Sequence, residues 1–460
     1  MTAPVPPGPM RQRRAGVLLH PTSLDEGRGA LGARARSFID WLAAAGFSVW
    51  QMLPLAPTGP DGSPYWTRSD FAGNAQLLDR DELPDVHHHR GDYRAFADAN
   101  HGWLEDYVLY EALAERFGGA AWWQWPAPFR DRDPDTLQRA RAELLIQLES
   151  RRVQQWQFDH QWRGVRAYAA QRGILLFGDV PIYVAPDSVS TWSQREQFQL
   201  GDDGRPTAVA GVPPDYFAVD GQLWGNPLYR WEQAEQDGFA FWRGRIRRQL
   251  QRFDLLRIDH FRGLAAHWAV PAGAATAREG RWVPTPGHAL LQALTAELPR
   301  LPLVAEDLGV ITHDVEALRD GFGLPGMRVL QFGFGGDAGN PHLPHNYAPL
   351  LVAYTGTHDN DTTLGWYRSL EPQQRQRVET YLGAGAEAMP HAAIRAVIAS
   401  VARLAVVPLQ DLLALGSEGR FNTPGSVSGN WQWRMPPTLG SELAAQYRSL
   451  NETYGRVPSG

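Results

Sequence analysis

Asp254–Asp259 reads DLLRID, three apolar residues and an arginine held between two carboxylates. A run this short, apolar and closed by an acid predicts a strand of a buried parallel sheet whose C-terminal end opens into a loop. Leu303–Glu306, LVAE, repeats the pattern. Working outward, six further runs have the same character: Gly16–His20, Ser48–Leu53, Ile174–Asp179, Arg328–Phe334, Leu351–Thr355 and Leu404–Pro408. Helix-like stretches lie between several of them, at Ala33–Ala45, Phe239–Arg252, Leu290–Leu298 and Ile394–Arg403. Alternating strand and helix signals mean βα units, and eight such strands are what a closed (β/α)8 TIM barrel requires.

The spacing is uneven. More than one crossover helix must fill the gap between the second and third strand candidates. Inside it, Trp103–Phe117 and Thr136–Ala170 read as amphipathic helices, the second placing Phe158, Trp162, Val165 and Tyr168 on one face. A second excursion, Tyr183–Tyr229, is rich in Gly, Pro, Asp and Gln and reads as an ordered irregular loop above the strand ends. The expected organisation is one barrel over 1–460, with a helical insertion at about 80–150 and a loop insertion at 183–230. No separate C-terminal β domain is expected.

Composition narrows the function classes. A formal net charge of −6 over 460 residues argues against a nucleic-acid partner, which needs a basic footprint. No cysteine is present, so thiol nucleophiles, disulfides and Cys-based metal sites are excluded. The Pro-rich, basic start MTAPVPPGPMRQRRAG leads into no export-length apolar run, and no stretch is long enough to span a bilayer, so the cytoplasm is the expected compartment. The 18 Trp, 18 Phe and 14 Tyr could stack on sugar rings, but large aromatics more often fill cores.

The strand ends carry the chemistry. Asp259 and Glu306 close two strands, Asp179 ends another, and Asp359 in YTGTHD follows a fourth. One such acid is commonly a helix N-cap; four at corresponding positions point to paired-carboxyl chemistry, as in glycoside transfer. Arg257 lies two residues before Asp259 and so shares its side of the strand, where a guanidinium would keep Asp259 ionised. Glu306 must instead hold a proton, and neighbouring carboxylates would raise its pKa. The residues alone give a carboxylate-based barrel enzyme without naming its substrate.

Longer motifs supply a resemblance. LLHPTSL (Leu18–Leu24), GSPYW (Gly62–Trp66), GDVPIYVAPDS (Gly178–Ser188) and AGVPPDYFAVDGQLWGNPLY (Ala210–Tyr229) come first. LLRIDHFRG (Leu255–Gly263), VAEDLGVIT (Val304–Thr312), YTGTHDNDTTLGW (Tyr354–Trp366) and FNTPGSVSGNWQWR (Phe421–Arg434) follow. From about Val17 to Arg434 the chain resembles the amylomaltases, the 4-α-glucanotransferases of the α-amylase clan. The resemblance implies Asp259 as nucleophile, Glu306 as general acid/base and Asp359 as the transition-state-stabilising acid. Arg257 would orient the nucleophile, Tyr65 would stack under the reacting glucose, and Asp179 would line the same subsite.

It further implies substrate contacts from Ser63, His260, His358 and Asn422. An acceptor-side loop would offer Tyr216, Phe217, Gln222, Trp224 and Asn226. The implied partners are α-1,4-glucan donors and glucose or maltooligosaccharide acceptors, with no cofactor and no metal. Departures from the family pattern are peripheral: Ala75–Leu78 before Asp79, and Phe421 where Met is common. A hydrolytic α-amylase-like enzyme and a non-catalytic glucan-binding protein are the competing readings.

Three signals point elsewhere and are set aside. His87–His89 reads as a solvated loop, since no partner ligands lie at helical or hairpin spacing. Trp122, Trp123 and Trp125 read as packing of the helical insertion more than as a glucan platform. GFGLPG, Gly321 to Gly326, matches a dinucleotide fingerprint but precedes a strand instead of following one, so it reads as a turn.

Overall fold

The computed structural model describes residues 8–59, 61–214, 219–426 and 428–458. Twelve strands fall into two sheets among these residues. In chain order they are β1 (Arg14–Leu18), β2 (Val49–Gln51), β3 (Leu175–Val180), β4 (Ala208–Val212), β5 (Gln222–Pro227) and β6 (Leu255–Ile258). The rest are β7 (Ala266–Pro271), β8 (Arg281–Pro284), β9 (Leu303–Ala305), β10 (Gly326–Val329), β11 (Leu351–Tyr354) and β12 (Leu404–Pro408).

Eight of them form one parallel sheet in the order β10-β11-β12-β1-β2-β3-β6-β9. Its two ends approach each other, and Ala305 N donates to Pro325 O at 2.9 Å across the seam. Each of the eight overlaps a run expected from the sequence, although the strand expected at Arg328–Phe334 is Gly326–Val329, with a 3-10 turn over Leu330–Phe334, and the fold is a (β/α)8 barrel. Alternation along each strand builds two cores. Leu404 and Val406 of β12 point into the barrel with Leu18, Val49, Phe177 and Val352. Ala405 and Val407 point outward to the layer under the helices.

Helices cover the outside, including Ala33–Ala44, Ala240–Arg252, Gly287–Glu297 and His391–Ala399. The helical insertion between β2 and β3 runs Arg90–Arg116, Pro134–Glu143 and Leu145–Gln171, so the single expected helix over Thr136–Ala170 is two, broken at Leu144. Phe158, Trp162 and Val165 are buried there, as the helical face predicts. Trp122 and Trp125 are also buried and serve packing. His87, His88 and His89 are exposed in a turn, and GFGLPG forms the turn between the helix His313–Gly321 and β10. Among the described residues no helix is long and apolar enough to cross a membrane.

The expectation of an irregular loop at Tyr183–Tyr229 is corrected. That segment contributes β4 and β5 to a four-stranded antiparallel sheet, β5-β4-β7-β8, with partners from after Asp259. Ala and Gly in β4, and Gly225 and Pro227 in β5, are residues depleted in strands, so local propensity hides the pairing. This sheet stands at the C-terminal ends of the barrel strands, directly after the turn that carries Asp259.

Asp307 anchors the strand ends beside Glu306. Its Oδ1 accepts from Met327 N at 2.7 Å, and its Oδ2 pairs with Arg319 and, at 3.3 Å, with Arg328. A Cβ at Gly326 would lie 2.5 Å from that same Oδ2. Pinned on three sides, the carboxylate has nowhere to move. Gly326→Ala is therefore expected to destabilise the protein by about 2 kcal/mol, read as a drop in thermal midpoint; an unchanged midpoint would contradict the packing described.

Candidate active site

Four barrel strands deliver the acids to one end. Asp179 lies in β3, Asp259 and Glu306 come directly after β6 and β9, and Asp359 follows β11 through the loop YTGTHD. The parallel sheet makes their meeting unavoidable, because every strand's C-terminal end faces the same way.

Arg257 is the hub. Its side chain is almost wholly buried, and Nη2 donates to Asp259 Oδ1 at 2.6 Å. Nη1 donates to Asp179 Oδ2 at 2.5 Å, and Asp179 is itself fully buried. The Tyr65 hydroxyl donates to the same Asp179 oxygen at 2.7 Å. One guanidinium therefore fixes two carboxylates, as the two-residue spacing of Arg257 and Asp259 predicted for the first of them. Burial pushes the Asp179 carboxyl up from its ordinary range, and Arg257 opposes that shift.

Glu306 occupies a different environment. It is buried, with Oε2 accepting from His260 N at 2.7 Å and Oε1 from Leu308 N at 2.9 Å. His260 reaches it because its backbone is left-handed, φ 50°, which turns the chain back toward β9. Burial is the first reason the Glu306 carboxyl is pushed up to about 7; the charge of Asp259 adds to it, while Arg257 and the two amides oppose it. Desolvation thus leads, where the sequence had suggested neighbouring carboxylates.

The other side of the site is aromatic and amide-lined. Tyr65 sits in the turn bounded by the Thr58–Thr67 bridge, and its N–H donates to Ser63 Oγ at 3.3 Å. Its ring stacks on His358, centroids 5.2 Å apart at 15°. The Asp359 side chain is 46% exposed; Oδ1 accepts from Asn422 Nδ2 at 2.6 Å and lies 3.3 Å from His358 Nε2. Arg420 and Trp431, to which the sequence reading gave no role, belong here too. Arg420 donates to Asp359 O and Asn422 O, both at 2.8 Å, and Trp431 packs within 6.2 Å of Tyr65 and His358. The Trp-rich tail FNTPGSVSGNWQWR was the available signal for Trp431, while Arg420, just before it, had none.

On the remaining side the second sheet brings Trp224 edge-on to His260, 4.7 Å between centroids, and near Tyr183 at 6.2 Å. Gln222 is exposed and accepts from Trp224 Nε1 at 3.1 Å. Asn226 is buried, its Nδ2 donating to Val184 O at 2.9 Å, so it ties β5 to the segment after β3. Burial lowers the His260 imidazole to about 4, leaving a neutral ring against Trp224. Tyr216 and Phe217 lie outside the described residues. Ser63, Tyr65, Asp179, Arg257, Asp259, His260, Glu306, His358, Asp359 and Asn422 are thus joined by direct contacts or adjacency.

Such an arrangement holds two carboxylates against one cation, keeps a third carboxyl buried and protonatable, and leaves a fourth partly exposed. Comparisons with known proteins give the family. The family model described as 4-alpha-glucanotransferase matches residues 19–89 and 84–439. A 4-alpha-glucanotransferase of Thermus thermophilus is 46% identical, over 97% of this chain and 99% of that protein. One from Synechocystis is 45% identical, over 97% and 98%. The structure of an amylomaltase from Streptococcus agalactiae, solved in complex with acarbose, superposes with a TM-score of 0.92 at 33% identity, covering 97% of this chain and all of that one.

Proposed function

The chain belongs to the 4-alpha-glucanotransferase family, and from that premise we propose a retaining double displacement moving α-1,4-glucan segments between maltooligosaccharides. The observation that carries this reading is the unequal treatment of two neighbouring carboxyls. Arg257 binds Asp259 through Oδ1, while burial leaves Glu306 protonatable near neutrality. One group is prepared to attack and the other to donate a proton.

In the first step Asp259 Oδ2, free of the arginine, attacks the anomeric carbon. The glycosidic C–O bond breaks as Glu306 passes its proton to the departing oxygen, leaving a covalent β-glucosyl ester on Asp259. In the second, Glu306 takes the proton from an acceptor's 4-hydroxyl as that oxygen attacks the same carbon. The product regains the α configuration, and both carboxyls return to their starting states. Asp359 is assigned to the sugar hydroxyls and to the positive charge of the oxocarbenium-like transition state. Asp179 Oδ1 carries no protein hydrogen bond and offers a further acceptor to the same ring. Tyr65 would stack under it. Ser63, His358 and Asn422 hold these groups in place and complete the substrate contacts. The whole chain, insertions included, is read as one catalytic unit.

Transfer requires the acceptor to exclude water from the intermediate. Trp224 and Gln222, on the strand that edges the second sheet, are assigned to the acceptor together with His260; Tyr216 and Phe217 are proposed to join them and Asn226 to anchor the loop. Incubation with maltotriose tests the reading: glucose and longer maltooligosaccharides should accumulate without a net rise in reducing ends. A steady rise would establish a hydrolase. Trp224→Ala is expected to raise the hydrolysed fraction of turnovers about tenfold, measured as reducing ends released per transfer; an unchanged ratio would remove Trp224 from the acceptor site.

A further inference from the structure

Strand register draws a line of side chains across the second sheet. Gly211 of β4 pairs with Leu223 of β5 on one side and Trp268 of β7 on the other, and Trp268 pairs with Trp282 of β8. Directly paired residues project to the same face, so both indoles stand together, edge to face at 5.2 Å. Trp224, one residue beyond Leu223, projects to the opposite face toward His260. The acceptor assignment above therefore leaves the Trp268–Trp282 face unused.

Trp282 stands at the outer edge of that face and is 37% exposed. It is held firmly for an exposed residue. The guanidinium of Arg262 lies 4.0 Å from its ring centroid, and Arg262 is itself buried, with Nη1 donating to Thr312 Oγ at 2.8 Å. Arg262 comes three residues after Asp259, so the platform is fixed to the same turn as the nucleophile. Asp220 of the acceptor-side loop pairs with Arg278 at 2.7 Å, which joins that loop to the turn leading into β8. Exposed Leu223 and Val310 extend the apolar surface on the sheet and beside Thr312.

We propose that Trp282, backed by Arg262, is a remote stacking subsite for an α-1,4-glucan chain running beyond the sugars at the reacting bond. The proposal rests on the glucanotransferase reading given above. An indole fixed from one side presents its other face to the apolar face of a pyranose ring, with no ordering of the side chain needed on binding. Four strands span roughly 14 Å and Trp282 is on the face away from Trp224, so only a chain that is longer than the reacting sugars and passes around the sheet reaches Trp282. The subsite therefore discriminates by substrate length and takes no part in the chemistry.

Trp282→Ala and Trp282→Phe test this with two substrates. With maltotriose, both variants should turn over within about twofold of wild type. With amylose as donor and glucose as acceptor, KM should rise about five- to tenfold in Trp282→Ala, kcat should hold, and Trp282→Phe should recover most of the loss. Retardation of the Trp282→Ala protein in an amylose-containing native gel should weaken in parallel. Unchanged amylose KM and mobility would overturn the proposal, as would an equal loss on maltotriose, which would make the ring merely structural. Failure of the wild type to disproportionate maltotriose would instead overturn the parent reading.

Discussion

Asp259→Asn is expected to lower kcat for maltotriose disproportionation by on the order of 10⁴-fold while glucan binding survives. The substitution is isosteric. Its carboxamide oxygen can still accept from Arg257 Nη2, and Arg257 keeps its buried partner Asp179 at 2.5 Å. The cation is therefore not stranded, and the penalty of several kcal/mol for breaking a buried pair is avoided. What disappears is the negative oxygen that attacks the anomeric carbon. Equal thermal midpoints, intact retardation on amylose and a collapse of kcat form the expected pattern. Turnover like wild type would mean that Asp259 does not touch the reacting carbon.

Glu306→Gln should cost about 10³-fold with maltotriose, the scale of positioned general acid–base catalysis. The loss should depend on the leaving group. An α-glucosyl fluoride departs without protonation, so with that donor the first step should be nearly spared and the second should become limiting. The pH profile gives an independent check. Glu306 is pushed up to about 7, and the form that donates to the departing oxygen is the protonated one. Wild-type kcat/KM should accordingly hold below that pH and fall as pH rises through it, approaching tenfold per unit. The falling limb should vanish in Glu306→Gln. Persistence of the same limb in the variant would assign it to another group.

Much of this site was legible because barrel strands announce themselves. Runs such as LVA and LAVVP are apolar on both faces, and where an acid follows such a run, as Glu306 does, it falls where parallel strands open together. The Arg257–Asp259 contact was legible from period two alone. Other features depend on pairing that no local pattern records. β4 and β5 carry Gly and Pro, and β4, besides pairing with β5, finds its other partner in β7, across the whole of β6 and the turn bearing Asp259, so the segment reads locally as loop. The raised Glu306 comes chiefly from burial, which a sequence expresses only through the fold. Asn226 looks like an exposed loop amide in the sequence, yet its bond to Val184 O buries it. Arg420 acts through backbone oxygens of Asp359 and Asn422, contacts that carry no residue-type signature.

The most direct test of the mechanism is to catch the ester. Glu306→Gln enzyme mixed with α-maltosyl fluoride should form the intermediate quickly and release it slowly, since no base remains to activate an acceptor. Proteolysis and mass spectrometry should then find one maltosyl unit added to the peptide containing Asp259, absent from the Asp259→Asn control. A maltosyl unit on any other residue, or product formation with no labelled peptide in quenched samples, would contradict the double displacement through Asp259.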